Sequence, residues 1–131
     1  MPAGRGAWTT QQYTYFKIMK MIQAIVRPFK LEEVEEALKE AGVTGMTVTT
    51  DAQGYGKQNA HIPRYCGDLC DEDSLPRTII EVLAADENVD AFVAVIMRSA
   101  RIGKVGDGKI FVTSIEQVVR IRTGERNEAA V

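Results

Sequence analysis

The chain has little of several residue types that mark whole classes of protein. Its two cysteines, Cys66 and Cys70, are too few for the disulfide framework of a small secreted domain, so we expect a reducing cytoplasm. It has no apolar run of about 18 residues and no signal-peptide pattern, so we expect neither a membrane span nor secretion. A net charge of −2 gives no basic footprint for nucleic acid.

The first 18 residues do not share the pattern of the rest. They predict a flexible extension in front of a single domain at 19–131. Two alternatives stay open. Either Met19 or Met21 is the true start and gene annotation added the residues before it, or the aromatic side chains form an arm that docks on a partner. Those side chains are Trp8, Tyr13, Tyr15 and Phe16.

Hydrophobic periodicity in the remainder predicts four strands and two helices. Their order, strand–helix–strand, long loop, strand–helix–strand, is the split βαβ of an α+β, ferredoxin-like domain with an antiparallel sheet. The predicted strands are 20–27, 45–50, 78–84 and 110–112. The predicted helices are 31–41 and a second one that follows Asp86 as its N-cap and runs to about 100, and a last extended run covers 118–125.

One face of this sheet has no helix left to cover it. Strand 20–27 is apolar on both sides, and we expect Ile79 and Val82 to add apolar groups to the open face. A large exposed apolar surface is unusual on a monomer, so the sequence predicts a homo-oligomer that buries these faces together.

A glycine-rich loop at 103–109 carries the first sign of chemistry. It holds three glycines, two lysines and one aspartate, although its spacing matches neither the P-loop nor the dinucleotide fingerprint. Backbone amides from Gly106 to Gly108 can surround phosphate oxygens while Lys104 and Lys109 neutralise their charge. The alternative is a glycine-rich turn with solvated lysines.

Two arginines near the C-terminus form a second candidate. Arg120 and Arg122 alternate on the predicted last strand, so both would face the same side, and paired guanidinium groups suit phosphate recognition. The alternative is that they form surface ion pairs with Glu116 or Glu125.

The irregular stretch between the second and third strands is long for so small a domain, and such loops are usually functional. For Cys66 and Cys70 three readings stay open: unremarkable thiols, a redox-sensitive disulfide, or, with His61, a zinc site that lacks a fourth ligand.

Taken together, several segments resemble the nitrogen regulatory protein PII family of signal-transduction proteins. The resemblance implies a homotrimer that binds adenine nucleotide (ATP, ADP or AMP) in three clefts between subunits. It also implies three functional segments: a T-loop at about 54–76, a B-loop at about 101–109 and a C-terminal segment at 118–131. The matching segments are 19–31, 45–49, 54–58, 103–111 and 120–125.

The resemblance assigns roles to individual residues. Thr47 would lie near the adenine or ribose, and Lys109, Arg120 and Arg122 on the phosphates. Gln58 would contact Mg²⁺ or effector. The full set of implied nucleotide contacts is Thr47, Gly54, Lys57, Gln58, Glu81, Leu83, Gly103, Lys104, Val105, Gly106, Asp107, Gly108, Lys109, Arg120 and Arg122. The implied effector contacts are Gln58, Arg77, Val105 and Gly106.

The same resemblance implies a regulator of a membrane transporter or metabolic enzyme, with 2-oxoglutarate as co-effector and Tyr65 and Cys70 as T-loop contacts. Cys70 stands where well-known members carry a uridylylated tyrosine, and Arg77 stands where the family has a lysine for the effector carboxylate. Compared with the pattern of the resembled family, the chain has one extra residue between Thr50 and Gly54.

These departures keep other functions open. A divergent sensor of bicarbonate or of redox state, with a preference for ADP or AMP, is one. A slow nucleotide phosphatase is another, although no base lies beside a nucleophile, so we expect a regulatory protein with at most a weak side activity. A third is a small oligomeric structural module, such as a metal-tolerance trimer.

Overall fold

The computed structural model describes residues 18–55 and 74–130. The predicted flexible extension therefore lies outside the described residues, apart from Ile18. Strand β1 is Met19–Val26, helix α1 is Leu31–Glu40 after a 3-10 turn at Pro28–Lys30, and strand β2 is Thr47–Tyr55. Strand β3 is Ser74–Ala85, helix α2 is Asp86–Ala100, strand β4 is Gly108–Ile115, and a 3-10 turn closes the chain at Asn127–Ala130.

The four strands form one sheet in the order β2-β3-β1-β4. Each pair of neighbours is antiparallel, with β1 and β3 in the centre. The predicted ferredoxin-like fold is therefore confirmed.

The hydrophobic core lies between the helices and one face of the sheet. Val34 and Leu38, one helical turn apart on α1, are fully buried against it. From the strands, Ile22, Ile80 and Val82 point to the same side. The expectation that Val82 faces the open side is wrong. Val82 pairs with the buried Ile22, and Ile79, three residues earlier on β3, faces the opposite side of the sheet.

The other face of the sheet keeps its apolar character. Ile25 and Ile79 are partners across β1 and β3, and Phe111 of β4 is exposed. Between them the Gln23 amide donates to the Glu81 carboxylate, at 3.2 Å from Nε2 to Oε2. This open face is the surface on which the predicted homo-oligomer depends.

The β2–β3 hairpin is longer than the sequence indicated. The two strands pair out to Tyr55 and Ser74, so the segment between them narrows to 56–73, inside the predicted loop at 54–76. Two residues of β2, Thr50 and Asp51, interrupt the register with β3, and Asp51 has a positive φ of 63°. This β-bulge lies at the position where the resemblance predicts one extra residue before Gly54.

The start of α2 differs from the prediction. Ala85, with extended backbone, holds the cap position, so Asp86 is the first helical residue rather than the N-cap. Its N–H donates to the Ile18 carbonyl at 2.8 Å, and its carboxylate pairs with Lys20 Nζ at 2.9 Å. The negative charge still lies in the first turn, where the helix dipole favours it.

The predicted last strand at 118–125 is wrong. The chain turns back on itself, because the Gly124 N–H donates to the Arg120 carbonyl at 2.8 Å and Gly124 has a φ of 75°. A single bridge between Val119 and Arg126 closes the turn. Arg120 and Arg122 therefore do not share one face of a strand.

Candidate anion-binding site

The loop between α2 and β4 is organised around the carboxylate of Asp107. Its Oδ2 accepts hydrogen bonds from the backbone N–H groups of Ile102, at 3.1 Å, and Gly103, at 2.8 Å. Arg27, just after β1, reaches the loop from the other side. Its Nε lies 3.3 Å from Asp107 Oδ1, and its Nη2 donates to the Val105 carbonyl at 2.7 Å.

These contacts favour the ionised form of Asp107. Partial burial opposes ionisation, but hydrogen bonds from the backbone of Gly103 and Ile102 and the positive charge of Arg27 outweigh it. The pKa of Asp107 therefore lies below its ordinary value, and the loop holds a fixed negative charge at its centre.

Gly108 sets the approach of β4 to β1. It has a φ of 111°, and a Cβ at this position would collide with the Ile25 carbonyl oxygen. Only glycine fits here without a backbone shift. The close approach places Lys109 directly opposite Ile25 in the β-register, at the edge of the open sheet face.

A cavity of about 510 Å³ joins the loop to the open face of the sheet. Of the residues within 18–55 and 74–130, three cationic side chains and one carboxylate line it, so the positive groups there outnumber the negative one. Phosphate and carboxylate groups are the anions that such a mixture of cations and glycine backbone binds. The lining residues are Ile25, Gly54, Arg77, Lys104, Gly106, Asp107, Gly108 and Lys109.

Arg77 forms the buried wall of this cavity. It is 7% exposed, and its Nη1 donates to the Pro76 carbonyl at 3.1 Å. It packs across Gly54, where an added Cβ would lie 2.9 Å from Arg77 Cγ. Desolvation, and secondarily the charge of Arg27, lower the pKa of Arg77 from its ordinary value. The charge of Arg27 is therefore close enough to Arg77 to disfavour the protonated form of its guanidinium.

A second group of predicted contacts lies outside the wall of this cavity. Glu81 and Leu83 lie on the open face of β3, and Thr47 is the β2 partner of Glu81. The Glu81 carboxylate already accepts from Gln23. Within the loop, Gly103 donates to Asp107, and the Val105 side chain is exposed.

The two C-terminal arginines are not brought to the cavity by the single chain. Arg120 Nη1 pairs with Glu125 Oε1 at 3.0 Å, and the Thr123 hydroxyl donates to the same oxygen at 2.8 Å. This is one of the two ion pairs left open by the sequence. Between the arginines, Ile121 is 100% exposed, so the turn presents an apolar side chain to its surroundings.

Several predicted residues lie outside the described part of the chain, and their roles stay predictions. They include the T-loop contacts and the candidate redox and zinc ligands: Lys57, Gln58, His61, Tyr65, Cys66 and Cys70. Within residues 18–55 and 74–130, no group of three metal-ligating side chains comes together.

Sequence reasoning missed Arg27. It contacts two residues of the loop, yet about 80 positions separate it from Asp107 and no motif marks it. The sequence did offer one signal for this contact. Arg27 is a basic residue between a predicted strand and Pro28, and the candidate phosphate-binding loop carries one carboxylate that it could pair with.

The fold and the cavity first define a ferredoxin-like domain with a cation-lined pocket at one end of its sheet. No helix in the described residues is long and apolar enough to cross a membrane. The model of the family described as nitrogen regulatory protein P-II matches residues 19–125. The chain therefore belongs to the P-II family of signal-transduction proteins, as the sequence resemblance predicted.

Individual relatives agree with this assignment. The chain is 50% identical over 113 residues to the nitrogen regulatory protein P-II of Pasteurella multocida (strain Pm70), and the match covers 86% of this chain and 100% of the relative. Nitrogen regulatory protein P-II 1 of Escherichia coli (strain K12) matches with the same identity and coverage. A crystal structure of Arabidopsis thaliana PII bound to citrate matches with a TM-score of 0.71 and 32% identity, over 88% of this chain and 94% of that one.

Proposed function

We propose that this protein is a cytoplasmic regulator that binds adenine nucleotide in the cation-lined cavity and passes the ligand state to a protein target. The observation that carries the proposal is the cavity itself, where Arg77, Lys104 and Lys109 surround the glycine backbone of the loop. Two lysines and loop glycines are suited to the β- and γ-phosphates of ATP.

The nucleotide site is completed by a neighbouring subunit of a homotrimer. Arg120 and Arg122 lie outside the cavity of their own chain, and the open sheet face carries Ile25, Ile79 and Phe111. Association through this face would bury that apolar surface and bring the C-terminal turn of one subunit to the loop of the next. Arg120 would then exchange Glu125 for a phosphate oxygen.

A small carboxylate is the co-effector that fits beside Arg77. The Arabidopsis relative is bound to citrate, itself a carboxylate. The proposed co-effector here is 2-oxoglutarate, bound together with Mg²⁺. A carboxylate of 2-oxoglutarate would pair with the Arg77 guanidinium. Bicarbonate is the alternative, since it can occupy part of the same space and charge.

The loop at 54–76 carries the signal to the target, a membrane transporter or a metabolic enzyme. Its base is tied to the cavity, because Gly54 and Arg77 belong both to the hairpin and to the cavity wall. Ligands that differ in charge at this point shift the loop between conformations only if they bind those conformations with different affinity.

Regulation accounts for the cavity better than catalysis. Among the lining residues that the structure describes, Asp107 is the one carboxylate, and its oxygens are held by Arg27 and by backbone N–H groups. No side chain in this described part of the lining is therefore positioned as a general base for phosphate hydrolysis.

Titration calorimetry tests this function. ATP, ADP, AMP and cyclic AMP are titrated with and without Mg²⁺ and either 2-oxoglutarate or bicarbonate, under reducing and oxidising conditions. We expect ATP binding that tightens with Mg²⁺ and 2-oxoglutarate. A response to bicarbonate or redox state with ADP or AMP preferred would select the divergent sensor, and absence of all adenine-nucleotide binding would overturn the proposal.

A further inference from the structure

Arg27 has the geometry of a clamp on the B-loop. Its side chain is only 14% exposed, and it makes two contacts at once, one to the Asp107 carboxylate and one to the Val105 carbonyl. Asp107 in turn holds the N–H groups of Ile102 and Gly103. A single side chain at the end of β1 thus fixes both halves of the loop.

The contacts of Arg27 distinguish it from the lysines of the site. Lys104 and Lys109 line the cavity, whereas Arg27 does not. Its Nε and Nη2 are both directed to loop atoms. The Arg27 guanidinium binds a carboxylate and a carbonyl of the loop, and this orders the loop before a ligand arrives. Less conformational entropy is then lost when the ligand binds.

We propose that Arg27 is a positioning residue for nucleotide binding, which acts through Asp107 by holding the B-loop in its ligand-ready shape before the nucleotide arrives. The inference rests on the proposed function for its ligand. The clamp itself is a property of the free protein. Because Arg27 follows β1, whose Ile25 lines the cavity, the clamp also ties the loop to the central strand of the sheet.

The first test needs no nucleotide. Residue-resolved amide hydrogen exchange is measured by NMR on the free parent protein and on Arg27→Gln. We expect exchange at Ile102 and Gly103 to rise about tenfold or more in the variant, because the carboxylate that accepts from these amides loses its partner. The matched control is Lys30→Gln, which removes a nearby cation whose ion pair is with Glu33 of α1.

The second test separates positioning from charge. ATP binding is measured for Arg27→Gln, Asp107→Ala and the double variant. If the two residues acted only through their charges, loss of the arginine would weaken ATP binding and loss of the aspartate would strengthen it. We expect both single variants to weaken it about tenfold. The double variant should be little weaker than either one, since each change alone opens the clamp.

Three results would overturn the inference: unchanged amide exchange in Arg27→Gln, tighter ATP binding in Asp107→Ala, or additive losses in the double variant. We expect Arg27→Lys to restore ATP affinity only in part, because lysine keeps the charge but cannot donate to the carboxylate and the carbonyl with a planar guanidinium. Failure of the proposed function is distinct, because the parent protein would then bind no adenine nucleotide while the exchange test still reports the clamp.

Discussion

At the scale of single residues, the glycines of the B-loop differ in what they allow. Gly103 and Gly108 both have positive φ, but only at Gly108 would a Cβ meet a neighbouring backbone atom, the Ile25 carbonyl oxygen. We expect Gly108→Ala to lower the free energy of unfolding by about 3 kcal/mol or more. Gly103→Ala should cost about 1 kcal/mol, since it meets only backbone strain. Urea unfolding of the two variants checks this, and equal losses would contradict the tight β1–β4 contact.

The ionisation of Asp107 makes the stability of the folded protein depend on pH in the acid range. Its pKa is lowered in the folded state, so its contribution to stability is present above the unfolded pKa of about 3.9 and is lost as the pH falls through the lower folded value. We expect Asp107→Asn to reduce stability by about 1 kcal/mol at pH 7 and the difference from the parent to shrink below about pH 4.

Chemical unfolding of parent and variant at a series of pH values checks this prediction. The matched control is Asp51→Asn, because Asp51 is an exposed carboxylate on the β2 bulge, outside the loop. A difference between Asp107→Asn and parent that stays constant from neutral to strongly acid pH would show that the Asp107 charge is not engaged.

Prediction at the residue scale reached side chains that lie close together along the chain. Glycines and lysines close together in one loop predicted an anion site, and four of them line the cavity: Lys104, Gly106, Gly108 and Lys109. Arg27 could not be found this way, because its partners lie some 80 positions further along the chain and only the fold brings them together.

At the scale of elements, the base of the β2–β3 hairpin depends on a close contact between Gly54 and Arg77. A Cβ on Gly54 would lie 2.9 Å from Arg77 Cγ, which cannot move freely because Arg77 is buried. We expect Gly54→Ala to destabilise the protein by about 1–2 kcal/mol. The cost should fall in an Arg77→Ala background, where the obstructing side chain is gone.

A thermodynamic cycle of the single and double variants measures this coupling by urea unfolding. Gly45→Ala is the matched control, because a Cβ added at Gly45 would have no heavy atom within 4 Å and the residue does not have a positive φ. If Gly54→Ala cost the same with and without Arg77, the contact would not shape the hairpin.

Element prediction was accurate where a side-chain period was complete and failed where pairing set the bounds. The helix at 31–41 and the first strand were predicted within a residue or so, because α1 has an apolar stripe and β1 an apolar core face. Strands β2 and β3 extend further than their apolar runs, since the ladder pairs Gln53 with Pro76 and continues beyond them. The 118–125 run alternates like a strand, but Gly124 turns it back.

At the scale of the whole molecule, two features are not explained by the contacts within a single chain. The open sheet face keeps apolar residues at the surface, and the C-terminal turn holds Arg122 and the fully exposed Ile121 away from the cation-lined cavity. The proposed homotrimer with clefts between subunits would account for both, with Lys109 supplied by one subunit and Arg122 by the next. The sequence predicted association from the open face, but only the family resemblance supplied the number of subunits.

The central claim, that each nucleotide site is shared by two subunits, is tested most directly with mixed trimers. Lys109→Gln and Arg122→Gln are made in separately tagged chains, and each pure assembly is expected to bind ATP at least about tenfold more weakly than the parent. In a shared-site trimer any mixture of the two chains contains one junction at which an intact Lys109 meets an intact Arg122. Calorimetry on purified mixed trimers should therefore find one site of parental affinity per trimer. Mixed trimers with no site of parental affinity would contradict the account.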